Sequence, residues 1–226
     1  MQFTFYGHAC FLVDINHKKL LFDPFISGNE LAAHIDINQI EADYILLSHG
    51  HADHILDCEA IALRTGAKVI CAWEIHEWLQ SKGVHNTHPM NTGGKWDFAD
   101  FQVKCVVAQH SSSLTDGTYG GNPMGFLITA NGQSFYYSGD TALTMDMQLI
   151  PRWTQLNFAV LPIGSNFTMD IDDAIMAADM IQCRQIIGVH YDTFGFIKID
   201  HQLAKDKFAA AGCELHLVPI GESITL

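Results

Sequence analysis

The apolar and polar positions of the chain alternate between short strand-like runs and stretches with helical spacing. Residues 2–15 and 18–25 (QFTFYGHACFLVDI and KKLLFDPF) are rich in β-branched and aromatic residues and predict strands. The continuous apolar run ADYILLSH at 42–49 predicts a strand buried on both faces. Helical spacing follows over 57–66, and Gly66 is expected to end that helix.

The rest of the chain repeats this order of strands and helices. Further strands are predicted at 67–72, 101–110, 124–130, 133–140, 158–164, 185–190 and within 213–226, and further helices at 73–83, 170–182 and 200–212. We expect Gly83 to end one helix, Asp170 to begin another, and residues 86–98 to form a loop. The turn sequence NGQ at 131–133 predicts a hairpin.

No Pro/Gly/Ser-rich linker interrupts this pattern, which indicates one domain over residues 1–226. Within it we predict two similar α/β halves, roughly 1–115 and 116–226, with mixed sheets covered by helices. With 48% hydrophobic residues the chain can bury a substantial core. The six cysteines include no C-x-x-C pair and are interpreted as reduced core residues.

Charge narrows the range of partners. A formal net charge of −13 with only 12 Lys and Arg argues against nucleic acid and against an anionic membrane surface. A locally cationic metal site can still bind an anionic substrate. The expected partner is therefore a small-molecule substrate, which can be anionic. No secretory signal and no long apolar run are visible, so we expect a cytoplasmic location and no membrane span.

Metal-capable side chains stand where predicted strands end. His49 follows one apolar run, His110 follows FQVKCVVAQ, Asp140 follows QSFYYSG and His190 follows QIIGV. Ligands of sheet-based folds bind where loops converge at the carboxyl ends of strands. A rigid strand also fixes the direction of the next side chain, which a metal site requires. These four residues are therefore expected to meet.

The segment HGHADH carries the strongest chemical signal. His49 and His51 are two residues apart in an extended turn and can face one ion, whereas Asp53 and His54 can face a second. Burying these groups without a counter-ion would be costly, so the segment favours a metal site over a structural role.

The remaining strand-end residues complete two coordination shells. His110 would join the first site, His190 the second, and Asp140 would bridge them. Imidazole with carboxylate favours two divalent ions, zinc first, with manganese, iron or nickel as alternatives. Two ions about 3.5–4 Å apart would activate a bridging hydroxide and polarise the bond that it attacks.

This series of motifs resembles the metallo-β-lactamase superfamily. GHACFLV, LLFDPFISGN, AQHSSS, YSGDT and LPIGSNFTMDIDDA resemble its small hydrolase branch, near the L-ascorbate-6-phosphate lactonase-like and N-acylphosphatidylethanolamine phospholipase D-like groups. The resemblance implies a four-layer αββα sandwich with a dinuclear site at one edge of the two sheets. It also implies that Asp23 supports the ligand loop from behind the ligands, and it allows a homo-oligomer.

The function that we expect is hydrolysis of a small ester, lactone or phosphodiester by hydroxide held between two metal ions. Asp53 is placed to orient that water and to accept its proton. His8 is a candidate leaving-group acid or substrate contact, and a structural histidine explains it almost as well.

Three further residues are candidate substrate contacts. Ser112 follows His110 in a loop, and Asn166 and Thr168 lie beyond the end of a strand. A serine, asparagine or threonine in a loop needs no function, so an ordinary loop residue is the alternative at each position.

Two other functions stay open. An iron-loaded member of the same fold could carry out redox or thiol chemistry, although relatives with oxygen chemistry place Glu where His51 stands. The other is a metal-binding scaffold that catalyses no reaction. The presence of a metal-binding residue at all seven ligand positions argues against it.

Overall fold

Two seven-stranded sheets pack face to face in the computed structural model, which describes all residues 1–226. The strands are β1 Gln2–Gly7, β2 Cys10–Ile15, β3 Lys18–Phe22, β4 Tyr44–Leu46, β5 Lys68–Ala72, β6 Thr87–Met90, β7 Lys95–Asp97, β8 Gln102–Val107, β9 Met124–Ala130, β10 Gln133–Tyr137, β11 Phe158–Pro162, β12 Gln185–Val189, β13 Glu214–His216 and β14 Ser223–Thr225. The helices are α1 Ala52–Ile55, α2 Cys58–Thr65, α3 Trp73–Ser81, α4 Ile150–Trp153, α5 Ile171–Met180 and α6 His201–Ala210.

Strand direction decides where the loops of both sheets meet. The first sheet has the order β14-β1-β2-β3-β4-β5-β6 and the second β13-β12-β11-β10-β9-β8-β7. Strands β3 to β6 are parallel, as are β10 to β13. Because β2 is antiparallel to both β1 and β3, those two strands run in the same direction, and β8 and β10 do so on either side of β9. The carboxyl ends of the site-bearing strands therefore lie at one edge of each sheet.

Aromatic side chains join the two sheets. The Phe22 ring centroid of the first sheet lies 6.2 Å from that of Phe126 and 5.8 Å from that of Phe135, both in the second. Phe3 meets Phe158 in the same way at 6.5 Å. All five side chains are fully buried, and burial of each contributes about 1.5–3 kcal/mol.

Helices cover the outer faces of the sheets. Ile61 of α2 and Ile75 of α3 are buried in the cluster that contains the first sheet. Ala174 of α5 and Phe208 of α6 are buried in a second cluster against β11 and β12. The four layers are helix, sheet, sheet and helix, so the expected αββα sandwich is confirmed.

Several local predictions are confirmed. Gly66 caps α2 in the left-handed region at φ 72°, where an L side chain would be strained. Asp170 caps α5 through its Oδ1, which accepts a hydrogen bond of 2.8 Å from the Asp173 amide. The β9–β10 hairpin turns at Asn131 and Gly132, both with positive φ, as the turn residues indicate.

The loop predicted for residues 86–98 is wrong. It contains β6 and β7, which are edge strands of opposite sheets. Pro89 pairs with Cys71 in β6, and an edge strand tolerates proline because one of its sides needs no hydrogen bonds. All three residues of β7 are exposed, so no buried face marked it in the sequence.

Sheet membership changes between Met90 and Lys95, and β14 returns to the first sheet beside β1. The division into halves near residue 115 stays a prediction. All six cysteines are free and buried, consistent with the interpretation as reduced core residues. None of the helices combines the length and the apolar character needed to cross a bilayer.

Candidate metal centre

The predicted metal ligands converge at one edge of the sandwich together with the catalytic candidate His8 and the supporting residue Asp23. Each follows a strand that runs toward this edge: His8 follows β1, Asp23 follows β3, His49 to His54 follow β4, His110 follows β8, Asp140 follows β10 and His190 follows β12. Because both sheets present these ends together, side chains up to 182 residues apart meet at one place, as His8 and His190 do with ring centroids 4.1 Å apart.

Three of these residues leave their strands in an unusual backbone conformation. His8, Asp23 and His190 have φ of 55°, 40° and 57°. This left-handed region is unfavourable for residues with a Cβ, and such strain clusters at functional sites.

One group of ligand atoms comes from His49, His51 and His110. One ring nitrogen from each residue lies within 4.8 Å of those from the other two. His49 Nε2 is 2.9 Å from His51 Nδ1, and Ser111 Oγ is 3.3 Å from His51 Nε2. Three imidazoles at this spacing could hold one metal ion.

A second group comes from His8, Asp53, His54 and His190, whose ligand atoms also lie within 4.8 Å of one another. Asp53 Oδ2 lies 3.9 Å from both His54 Nε2 and His190 Nε2. His8 Nε2 lies 3.0 Å from the same oxygen. A mixed imidazole and carboxylate set of this kind could hold a second ion.

Asp140 lies between the two groups. Its Oδ2 is 2.9 Å from His190 Nε2 and 3.3 Å from His54 Nε2 in the second group, and 3.8 Å from His110 Nε2 in the first. The carboxylate is almost fully buried. One oxygen thus faces nitrogens of both groups, the position that a bridging ligand needs.

Asp23 anchors this arrangement from below. Its carboxylate accepts hydrogen bonds from the Ser48 amide at 2.7 Å, from Tyr137 Oη at 2.6 Å and from His54 Nδ1 at 2.8 Å. Because Asp23 holds Nδ1–H of His54, the other nitrogen of that ring is free to act as a ligand. His54 Nε2 is buried, and its 3.3 Å approach to Asp140 Oδ2 lacks hydrogen-bond geometry. A buried nitrogen without a hydrogen-bond partner fits the role of a metal ligand.

The buried carboxylates of the centre favour positive charge beside them. Burial opposes a charged His54, yet Asp140 and Asp23 raise the pKa of that imidazole well above its usual range. Burial would raise the pKa of Asp140, but His190 and His54 hold it well below its usual range. A divalent ion held at this point would likewise compensate the charge of the buried carboxylates.

The remaining imidazoles are suited to bind metal. Burial lowers the pKa of His49 well below its usual range and also lowers the pKa values of His51 and His110. These rings are therefore neutral near pH 7 and keep a nitrogen lone pair, as a ligand must. The donor set matches the preference of zinc, manganese, iron and nickel for nitrogen with carboxylate oxygen.

A cavity of about 940 Å³ opens over this centre. It is lined by Phe25, Gly28, Glu30, His51, Ala52, Asp53, His110, Ser111, Asp140, Phe167, His190, Thr193, Phe194, Gly195 and Phe196. Five of the seven predicted metal ligands thus form part of its wall. A bound molecule would be able to reach both groups of ligand atoms.

The predicted substrate contacts lie beside this wall. Ser112 is buried, and its Oγ accepts a hydrogen bond of 3.0 Å from the Gly50 amide, which secures the ligand loop. Its neighbour Ser111 lines the cavity. Asn166 and Thr168 flank Phe167, which also lines the cavity. A role of Ser112, Asn166 and Thr168 in substrate contact stays a prediction.

The sequence did not predict the phenylalanines that line the cavity or the hydrogen bond from Tyr137 to Asp23. Phe194 and Phe196 follow closely after His190, and Phe25 follows Asp23 by two residues. Their position just after a ligand-bearing strand end was the signal that could have identified them. Tyr137 carries no such signal, because an aromatic residue in a buried strand reads simply as core.

Comparison with known proteins agrees with this geometry. Residues 18–191 match the family model described as a beta-lactamase superfamily domain. The chain is 54% identical over 226 residues to a metal-dependent hydrolase of Flavobacterium johnsoniae, and the match covers 100% of both chains. It is 55% identical over 227 residues to a metal-dependent hydrolase of Christiangramia forsetii, again over 100% of both.

A solved structure is also similar over nearly its whole length. Igni18, a metallo hydrolase from the archaeon Ignicoccus hospitalis, has a TM-score of 0.89 with 31% sequence identity. The similarity covers 99% of this chain and 97% of Igni18. All seven candidate ligands and Asp23 lie within the span that the family model matches, whereas His8 lies before it.

Proposed function

The chain belongs to the metallo-β-lactamase superfamily, and from this premise we propose that it is a metal-dependent hydrolase of a small ester, lactone or phosphodiester. One observation carries the proposal. Asp140 Oδ2 lies within 2.9–3.8 Å of imidazole nitrogens from both ligand groups, which unites them into one centre. Two relatives that are 54% and 55% identical over the full chain are named metal-dependent hydrolases, and this supports the proposal.

The residues present fit a pair of metal ions. His49, His51 and His110 would hold the first, Asp53, His54 and His190 the second, and Asp140 both. Bound divalent ions, zinc first with manganese, iron or nickel as alternatives, would lower the pKa of water toward ~7 and stabilise negative charge on the substrate.

Asp53 is the proposed proton acceptor beside the attacking water. It lines the cavity, so water can reach its carboxylate. Burial opposes its charge, but the hydrogen bond from His8 and the charge of His54 hold its pKa below the usual range. The carboxylate is thus ionised at neutral pH and can orient a water molecule through a hydrogen bond.

His8 is proposed to act through Asp53. An ionised carboxylate only accepts hydrogen bonds, so His8 Nε2 carries the proton and donates to Asp53 Oδ2. Nδ1 of the neutral ring then accepts from Thr193 Oγ1 at 3.0 Å. The ring is only 1% exposed and does not line the cavity, so the geometry favours a role in positioning Asp53 over donation to a leaving group.

Metal analysis coupled to turnover tests the proposal. We expect the purified protein to contain up to two transition-metal ions per chain and to hydrolyse at least one of a generic ester, lactone, thioester or phosphodiester probe. Removal of the metal with a chelator should abolish that turnover, and zinc or manganese should restore it. If fully metal-loaded protein turns over none of these probes, the non-catalytic scaffold becomes the better description.

A further inference from the structure

The cavity over the metal centre contains no lysine or arginine side chain. The chain has 12 Lys and Arg residues, and none of them lines this cavity. The only charged lining residue besides the metal-centre residues is Glu30. Recognition of a phosphate or carboxylate uses Arg, Lys or a helix N-terminus, and like charges repel. An anionic group held away from the metal centre would therefore find no cationic partner there and would face Glu30.

Four phenylalanines instead supply much of the wall. Phe25 and Phe194 form one pair with ring centroids 6.4 Å apart, and both contact the ring of His8 at 5.3–5.4 Å. Phe167 and Phe196 form a second pair, nearly perpendicular, at 6.5 Å. These distances are typical of aromatic packing, so the two pairs form apolar surfaces rather than isolated rings.

The second pair is poorly covered by the protein itself. Phe167 is 51% exposed and Phe196 is 78% exposed, although Phe25 is only 6% exposed. Exposed apolar surface beside a cavity is typical of a ligand-binding site. The volume of about 940 Å³ is also within the range of small-molecule pockets, which are mostly apolar with few polar groups.

We propose that the substrate is a neutral ester or lactone whose apolar acyl or aryl part packs against Phe167 and Phe196, and not a molecule that carries a phosphate or carboxylate group away from the bond that is cleaved. This inference rests on the proposed hydrolase function. In the reaction, the oxygen of water bonds to the acyl carbon and the bond from that carbon to the leaving oxygen breaks. The leaving oxygen takes up the proton that Asp53 accepts from the water, so an ester gives a carboxylic acid and an alcohol, and a lactone gives a single hydroxy acid.

Matched probes separate the two substrate classes. 4-Nitrophenyl butyrate and mono-4-nitrophenyl succinate have the same leaving group and acyl parts of four carbons, but only the succinate carries a distal charge. Bis(4-nitrophenyl) phosphate adds an anionic phosphodiester. With metal-loaded protein we expect kcat/KM for the butyrate to exceed the values for both anionic probes at least tenfold. An equal or higher value for either anionic probe overturns the inference and leaves the hydrolase proposal standing.

The length of the acyl group tests the contact of the substrate with Phe167 and Phe196. Between 4-nitrophenyl acetate and hexanoate, each buried CH₂ should raise kcat/KM by about fourfold. In Phe196→Ala and Phe167→Ala this gain should shrink, mainly through a higher KM with kcat nearly unchanged, and Phe196→Leu should retain part of it. Trp96→Ala is the control, because Trp96 is 52% exposed and does not line the cavity. The inference is overturned if kcat/KM of the wild-type protein does not change with the length of the acyl group.

A binding measurement makes the inference independent of turnover. Calorimetric titration of the metal-loaded protein with benzyl alcohol should give an affinity at least fivefold above that for phenylmethanesulfonate, and Phe196→Ala should reduce this difference. If this preference is found but no probe is hydrolysed, the hydrolase proposal fails while the preference of the cavity stands. Equal or tighter binding of the sulfonate overturns the inference whether or not turnover is seen.

Discussion

At the scale of single residues, one carboxylate oxygen unites the candidate centre. Asp140 Oδ2 faces nitrogens of His190, His54 and His110, and no other carboxylate does so. Its negative charge is buried, so its neighbours must supply positive charge. We therefore propose that Asp140 couples metal binding to the geometry of both ligand groups.

Replacement of Asp140 should separate the two groups. Asp140→Ala is expected to lower metal content to one ion or fewer per chain and to reduce turnover at least about 100-fold. Replacing a residue that only hydrogen-bonds to a metal ligand already changes metal affinity or activity about 10–100-fold. Elemental analysis and kinetics on the same preparation measure both effects. Asp179→Ala, which removes a carboxylate that is 78% exposed, is the control and should change neither. Full occupancy by two ions in Asp140→Ala would contradict the bridging role.

The hydroxyl of Tyr137 offers a more precise test of the Asp23 anchor. Tyr137→Phe removes the 2.6 Å hydrogen bond to Asp23 and should weaken metal affinity about tenfold, with about 1 kcal/mol less stability. Tyr136→Phe is the matched control, because the Tyr136 side chain is equally buried and its hydroxyl has no hydrogen-bond partner. Competition of the bound metal with a chromophoric chelator measures the affinity. Equal effects of the two variants would show that the hydroxyl bond to Asp23 does not tune the metal centre.

At the scale of secondary-structure elements, the site depends on strand ends, and the helices mainly cover the sheets. The candidate ligands follow β4, β8, β10 and β12, whereas α5 and α6 bury apolar residues against the second sheet. Strands give the site rigidity, because each is hydrogen-bonded to its neighbours just before its ligand. Changes to the covering helices should therefore affect stability without affecting metal binding.

The cap of α5 tests this separation. Asp170→Ala removes the hydrogen bond to the Asp173 amide and should lower the free energy of unfolding by about 1 kcal/mol, with unchanged metal content and activity. Asp179→Ala near the other end of α5 should change stability by no more than about 0.5 kcal/mol, because an acidic group there gains nothing from the helix dipole. Chemical denaturation measures both. Loss of metal in Asp170→Ala would show that α5 and the site are coupled.

At the scale of the whole molecule, two sheets with a continuous apolar interior leave little polar chemistry inside except at the site. The six cysteines are all free and buried. Burial raises the pKa of Cys105 to about 12 and that of Cys183 to about 11. Because the reactive form of a thiol is the thiolate, burial and a raised pKa both suppress reaction at neutral pH.

Thiol titration tests this description of the core. Native protein at pH 8 should react with 5,5′-dithiobis(2-nitrobenzoate) only on the timescale of unfolding, and all six thiols should react at once in concentrated guanidinium chloride. The absorbance of the released thiolate counts them. Rapid reaction of even one thiol per native chain would show that part of this core is open, and fewer than six in denaturant would indicate a disulfide.

The sequence by itself determined the alternation of strands and helices, the caps at Gly66 and Asp170, and the set of histidines and aspartates that could bind metal. These properties are local, because burial pattern, turn conformation and ligand chemistry are visible within a few neighbouring residues. The edge strands β6 and β7 were missed since an edge strand has few buried positions to mark it.

Only the tertiary structure decided how those residues combine. It brought Asp140 between two ligand groups, placed Tyr137 against Asp23 and kept His8 behind Asp53. It also lined the cavity with phenylalanines and left every lysine and arginine outside it. Each of these facts joins strands that are distant in sequence. Their contacts arise when two sheets bury their apolar faces against each other, and no local pattern encodes that packing.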